Sequence, residues 1–160
     1  KTPQHTYQLL TKRAERMAEY FSSRLIPQNV WLGVTVEDTL TKYRIDFLRN
    51  LSAQVKFLSC EPLLCDLGEL DLEGVDWIIV GGESGPIARP MKEEWVLNIK
   101  RQAEQKSIPF FFKQWGTWSK EGVKGNKKKN GKLLQGEVIQ QMPKVVHENF
   151  RNKNQTKFWE

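Results

Sequence analysis

Lys12, Glu37, Cys60, Glu61, Glu83 and Lys113 hold the same place in the pattern of this sequence, each at the C-terminal end of a short apolar segment. Carboxylates at such places exchange protons or hold cations, and ammonium groups hold anions. Glu83 stands in Asp76-Trp77-Ile78-Ile79-Val80-Gly81-Gly82-Glu83-Ser84-Gly85-Pro86, where four apolar residues lead into a glycine-rich turn. Glycine lets backbone approach a ligand closely. Gly81, Gly82, Glu83 and Ser84, with Glu37 and Lys12, are therefore the candidate cofactor-binding set; Glu83, Glu61 and Lys113 are the catalytic candidates. Two readings of Glu83 stand open. It grips a ligand amine or hydroxyl, or it caps its own loop and pairs with Arg89. The spacing matches neither a phosphate loop nor a dinucleotide fingerprint, so no nucleotide follows from it.

The remaining groups narrow the chemistry. Cys60 precedes Glu61, and a negative neighbour raises a thiol's pKa, so Glu61 is the better candidate and Cys60 reads as a small buried residue. Cys60 and Cys65 lack Cys-x-x-Cys spacing, and no metal site is expected on this chain. His5 and His147 stand near the ends, away from any strand terminus. Lys12 and Lys113 either join Glu37, Glu61 and Glu83 in an ion-pair network or bind an anionic substrate group. Trp115, just past a strand, reads as core or as a surface for a ligand ring.

The elements that must position these groups are strands and helices in alternation. Strands are expected at 7–12, 30–37, 55–59, 77–80 and 110–112. Helical spacing marks 13–24 (Ala14, Met17, Ala18, Phe21, Leu25), the stretch after Asp38 (Leu40, Tyr43, Phe47, Leu48, Leu51) and 91–106 (Trp95, Val96, Ile99, Ala103). Asp38 or Thr39 is the expected cap of the second helix. Between Pro62 and Val75 leucines alternate with acids, and Gly68 and Gly74 interrupt any helix, so a short turn or a single helical turn is expected there. This alternation is the signature of βαβ units, a parallel sheet and an α/β fold, whose working face is the carboxyl ends of the strands. Five strands fall short of an eight-strand barrel. The expected fold is a partial (β/α) barrel over 1–118, with a basic loop and small hairpin over 119–143 and a polar tail over 144–160.

Composition sets outer bounds. The chain has 160 residues, 25 basic and 19 acidic side chains and a net charge of +6. Residues 1–119 hold 15 of each sign, and residues 120–160 hold 10 basic and 4 acidic, so the excess is confined to the C-terminal part. No apolar run approaches the ~18 residues of a membrane span, and two cysteines suit a reducing cytoplasm. The first strand begins within a few residues of Lys1, which suggests part of something longer. Lys124, Lys127, Lys128, Lys129 and Lys132 form a glycine-flanked basic loop. It is either solvated surface or a phosphate contact, and the second reading would make the chain a nucleic-acid-binding module.

With these residues in view, the chain resembles a bacterial and phage family, the phage gene-product thirty-seven/sixty-eight family. The likeness rests on Thr2–Arg13, Trp31-Leu32-Gly33-Val34, Phe57–Leu63, Val80–Gly85, Ala88-Arg89-Pro90-Met91, Phe111–Gly116 and Lys129–Leu134, and it extends to about Pro143. The resemblance implies a radical-SAM-like barrel in which an N-terminal cysteine cluster binds a 4Fe-4S centre that works with S-adenosylmethionine. It implies that this chain is the C-terminal part, the S-adenosylmethionine and substrate side. Cys60 matches a family position outside the cluster, so neither cluster nor activity is expected on this chain alone. The missing N-terminal segment of the same barrel is the implied partner.

Overall fold

A computed structural model describes residues 4–145 of the chain. Val, Ile, Trp and Phe, the residues that suit a pleated surface, concentrate in five strands. These are β1 (Tyr7–Thr11), β2 (Val30–Thr35), β3 (Lys56–Cys60), β4 (Trp77–Gly81) and β5 (Phe110–Gln114). All pair in parallel, and their order across the sheet is their order along the chain. The fold is α/β with a parallel sheet. The sheet does not close among the described residues, and β1 and β5 are its edges.

Right-handed crossovers in an unreversed strand order put every connection on one face. That face carries the main core. Ala14 and Met17 from α1 (Ala14–Phe21), Ile45 and Leu48 from α2 (Arg44–Arg49), and Val96, Ile99 and Ala103 from α3 (Glu93–Gln105) pack on Leu32, Val34, Leu58, Ile78, Val80, Phe110 and Phe112. The link between β3 and β4 has no helix. Gly68 and Gly74 take φ of 62° and 70° there, while Leu63, Leu67, Leu70 and Leu72 enter the same core. The buried amide of Gln102 ties this link to α3, accepting from Leu70 N and donating to Gly68 O.

Two helix boundaries differ from the periodicity. Leu25 lies beyond α1 and is almost fully exposed. In the second helix, Asp38 caps a 3-10 turn, Thr39–Thr41, through a reciprocal capping box with Thr41. The chain then re-enters a helix at Arg44, out of register with Leu40. Leu40 and Tyr43 are exposed as a result, and Ile45, Leu48 and Leu51 take the core positions.

The other face of the sheet has no helix over it among the described residues. Trp31, Val55, Phe57 and Trp77 form a smaller cluster there, with Ile79 and Phe111 beside it. Trp77 is its hub, with ring centroids 6.0 Å from Trp31, 5.7 Å from Phe57 and 5.8 Å from Phe111. Gly33 makes room for it: a Cβ there would stand 2.4 Å from the Phe57 ring.

Beyond β5 the basic loop contains a single helical turn, α4 (Lys127–Asn130), capped by the Asn126 side chain, which accepts from Lys129 N. The expected hairpin is present. Its strands β6 (Leu133–Leu134) and β7 (Glu137–Val138) join through Gln135 and Gly136, both at positive φ, as a tight two-residue turn requires. Residues 139–141 then run antiparallel along β5, with Phe112 N donating to Ile139 O and Gln141 N to Phe110 O. Trp77 Nε1 donates to Gln141 O, and Val145 reaches the open-face cluster. The polar tail lies, from residue 146 onward, outside the described residues. No helix of the described residues is long and apolar enough to cross a membrane.

Candidate functional site

The strand ends bring the expected charged residues to one rim, but sort them into three separate groups. At the ends of β1 and β2, Glu37 is buried between Lys12 and Arg44, with Arg44 Nη1 at 2.7 Å from its Oε2. Burial alone would raise the Glu37 carboxyl; the hydrogen bond and charge of Lys12, aided by Arg44, outweigh it and hold the pKa below the usual value. Arg44 also donates to Thr35 O, which locks the group to the sheet.

At the end of β4, Glu83 accepts from Arg89 three times, from the backbone N and from Nε and Nη2, each at 2.8 Å. These bonds bring its pKa down to about 2. Of the two readings of Glu83, pairing with Arg89 is the one its contacts describe. A Cβ on Gly82 would lie 1.9 Å from Trp115 O, and one on Gly116 2.2 Å from Glu83 O. Gly82 N donates to Gln114 O and Thr117 N to Glu83 O, so the loop continues the β4–β5 pairing. Gly82 is thus a site of close backbone packing, while Gly85, at φ 131°, has open space around it. Ser84 is exposed on the same loop.

The third group faces the open side. Period-2 alternation along β3 puts Phe57, Ser59 and Glu61 on one face. Glu61 reaches past β4 to β5, because Gly81 lies between them without a side chain: a Cβ there would stand 3.1 Å from the Glu61 carboxyl. Lys113 Nζ pairs with Glu61 Oε2 at 2.7 Å, and Gln114 Nε2 donates to Oε1 at 3.1 Å. Successive strand residues ordinarily face opposite sides. Here the register shifts between Val80 and Gly81, so that Val80 pairs with Phe112 but Gly81 with Gln114. This irregularity turns Gln114 onto the Glu61 side, the re-aiming that a β-bulge produces. Gln114 and Ser59 are the residues the charge pattern missed; the alternation of β3 pointed to Ser59, but nothing local signals the shift that places Gln114.

Beside this group lies a cleft of about 520 Å³, a size ordinary for a small-molecule site. Phe57, Trp77 and Phe111 line its aromatic floor, with Ser59, Glu61 and Lys113 also on its walls. Trp115 does not face it. That ring is buried against Phe112, with its Nε1 donating to Leu133 O, and is core. Cys60 faces the helix side, where burial and the nearby Glu37 charge push its thiol up to about 12. Cys65 is half-buried and five residues away. Among the described residues no three His, Cys, Asp or Glu side chains group as metal ligands, and these cysteines do not fit an iron–sulfur cluster.

A family model described as a protein of unknown function, DUF5131, matches residues 1–143. The chain belongs to that family. The match spans the sheet, all three groups and the hairpin. No curated protein and no solved structure matches.

Proposed function

We propose that this chain is part of a (β/α) barrel and that its open face is the barrel's inner, ligand-binding face. Strands in sequence order with every connection on one side are laid out as in such a barrel, and the polar rim lies at the carboxyl ends, where barrel enzymes keep their sites. Strands outside the described residues would complete it. The observation that carries the ligand reading is the cleft itself: aromatic rings below, the Glu61–Lys113 pair above. Of the groups implied by the family resemblance, S-adenosylmethionine suits these walls. Aromatic faces and a carboxylate both favour its sulfonium and ammonium charges. Phe57, Trp77, Phe111 and Glu61 would hold it, and what it supplies when bound is an activated carbon–sulfur bond. The iron–sulfur cluster would be held by residues other than the described ones. The cytoplasm is the compartment this reading requires.

Calorimetric titration of S-adenosylmethionine tests it. Binding is expected, and Phe111→Ala should weaken it by about tenfold or more, the scale of one lost aromatic contact. Absence of binding, or binding indifferent to Phe111, overturns the reading.

One observation favours a second, non-catalytic role in nucleic-acid binding. Lys127, Lys128 and Lys129 are all exposed and take part in no ion pair among the described residues. Such free cations suit sequence-independent contact with phosphates.

A further inference from the structure

Resting on the cleft reading, the walls also select a chemical class of ligand. Glu61 is the constrained group: Gln114 holds one oxygen and Lys113 the other, and only a fifth of its side chain is exposed. Lys113 is half exposed and free to swing into water. Ser59 lines the cleft, and its hydroxyl, which is open to the cleft, makes no hydrogen bond among the described residues. A hydroxyl both donates and accepts, so in a cleft wall it offers a hydrogen bond to a ligand that enters.

Charge balance separates the possible ligands. An anion would draw Lys113 away and leave Glu61 without its counter-charge in a largely buried place, which is unfavourable. A cation would replace Lys113 on Glu61 and release the ammonium to water. A zwitterion satisfies both groups at once, and the flat aromatic floor suits a planar apolar body. We propose that the cleft recognises an α-amino acid head group on such a body, with the ammonium on Glu61, the carboxylate on Lys113 and a further hydrogen bond at Ser59.

L-tryptophan, tryptamine and indole-3-propionate present the same ring with both charges, the ammonium only and the carboxylate only. Titrated calorimetrically into the wild-type chain, they should bind in that order, with at least tenfold between the first and the last, since charge-assisted hydrogen bonds are the strong ones. Glu61→Gln should abolish the preference for tryptophan over indole-3-propionate. Lys113→Gln should abolish the smaller preference over tryptamine. Equal binding of the three, a preference that survives both substitutions, or no binding of tryptophan would overturn the inference. If tryptophan fails to bind while S-adenosylmethionine binds and still depends on Phe111, the head-group inference falls and the cleft reading stands. If neither ligand binds, both fall.

Discussion

The two faces of the sheet are built from alternate residues of the same five strands and are finished differently. On the helix side Leu32, Val34, Leu58, Ile78, Val80 and Phe112 are wholly buried, and the buried amide of Gln102 has its partners. On the open side Ile79 and Phe111 are only half-buried; buried atoms without partners among the described residues occur on both sides, Trp31 Nε1 and Gln114 Oε1 on this one and Arg44 Nε of α2 on the other. Unsatisfied buried groups are costly, and native proteins keep few of them. The helix side is the larger core; the open side buries Trp31, Phe57 and Trp77 but leaves Ile79 and Phe111 partly exposed. The edges repeat the contrast. Residues 139–141 cover β5, whereas β1 has no strand on its outer side among the described residues and leaves Leu9 and Leu10 about half exposed.

Adjacent phenylalanines put this contrast to its largest test. Phe112→Ala should cost about 3–5 kcal/mol, as for a fully buried aromatic. Phe111→Ala, one residue away on the open face, should cost roughly 1 kcal/mol. Urea denaturation of both variants measures the difference, and equal losses would erase the distinction between the faces.

The edges come next. A sheet edge with no strand on its outer side among the described residues invites pairing with another chain, so the chain is expected to self-associate as its concentration rises. Leu9→Lys should raise the apparent dissociation constant by about tenfold, or about 1.4 kcal/mol. Sedimentation velocity over a concentration series reads this. A wild-type chain that stays monomeric at high concentration would show that the β1 edge is already protected.

A smaller effect concerns the rim. Glu83 titrates near 2 in the folded chain against an ordinary 4.5. A depressed carboxyl contributes stability that is full above its unfolded value and is lost as pH falls toward the folded one. Thermal melts should therefore show stability declining from pH 4.5 to pH 2. Glu83→Gln should flatten that decline and lower stability at neutral pH by on the order of 1 kcal/mol or less, the scale of a rim ion pair. It should leave S-adenosylmethionine binding unchanged; a selective loss of binding would restore Glu83 as a ligand contact.

The smallest effect is expected at the basic turn. Replacing Lys127, Lys128 and Lys129 with Ala should weaken nucleic-acid binding a few-fold per residue and reduce its salt slope by roughly one per lost phosphate contact. An unchanged slope would leave these lysines as solvated surface.

Much of the scaffold was legible because it is periodic. Five apolar runs became five strands, and Ala14 with Met17, and Val96 with Ile99 and Ala103, took their core positions. The hairpin was legible in Gln135-Gly136, since only a tight turn demands such a pair. Leu25 and Leu40 were misplaced because periodicity carries no information about where a cap ends a helix or restarts it. Glu83 drew attention by its glycines, and of these Gly82 serves a backbone contact with Trp115, more than thirty positions away.

The sequence by itself determined the strand and helix alternation, the parallel sheet and the convergence of charged residues on its carboxyl rim, because these depend on local pattern and on the handedness of the chain. Only the tertiary structure decided which charges meet. Whether Glu61 finds Lys113 and Gln114 depends on the bare Cα of Gly81 and on a one-residue shift in the β4–β5 register. Those are contacts between segments distant in the chain, and hydrogen-bond geometry, not composition, sets them.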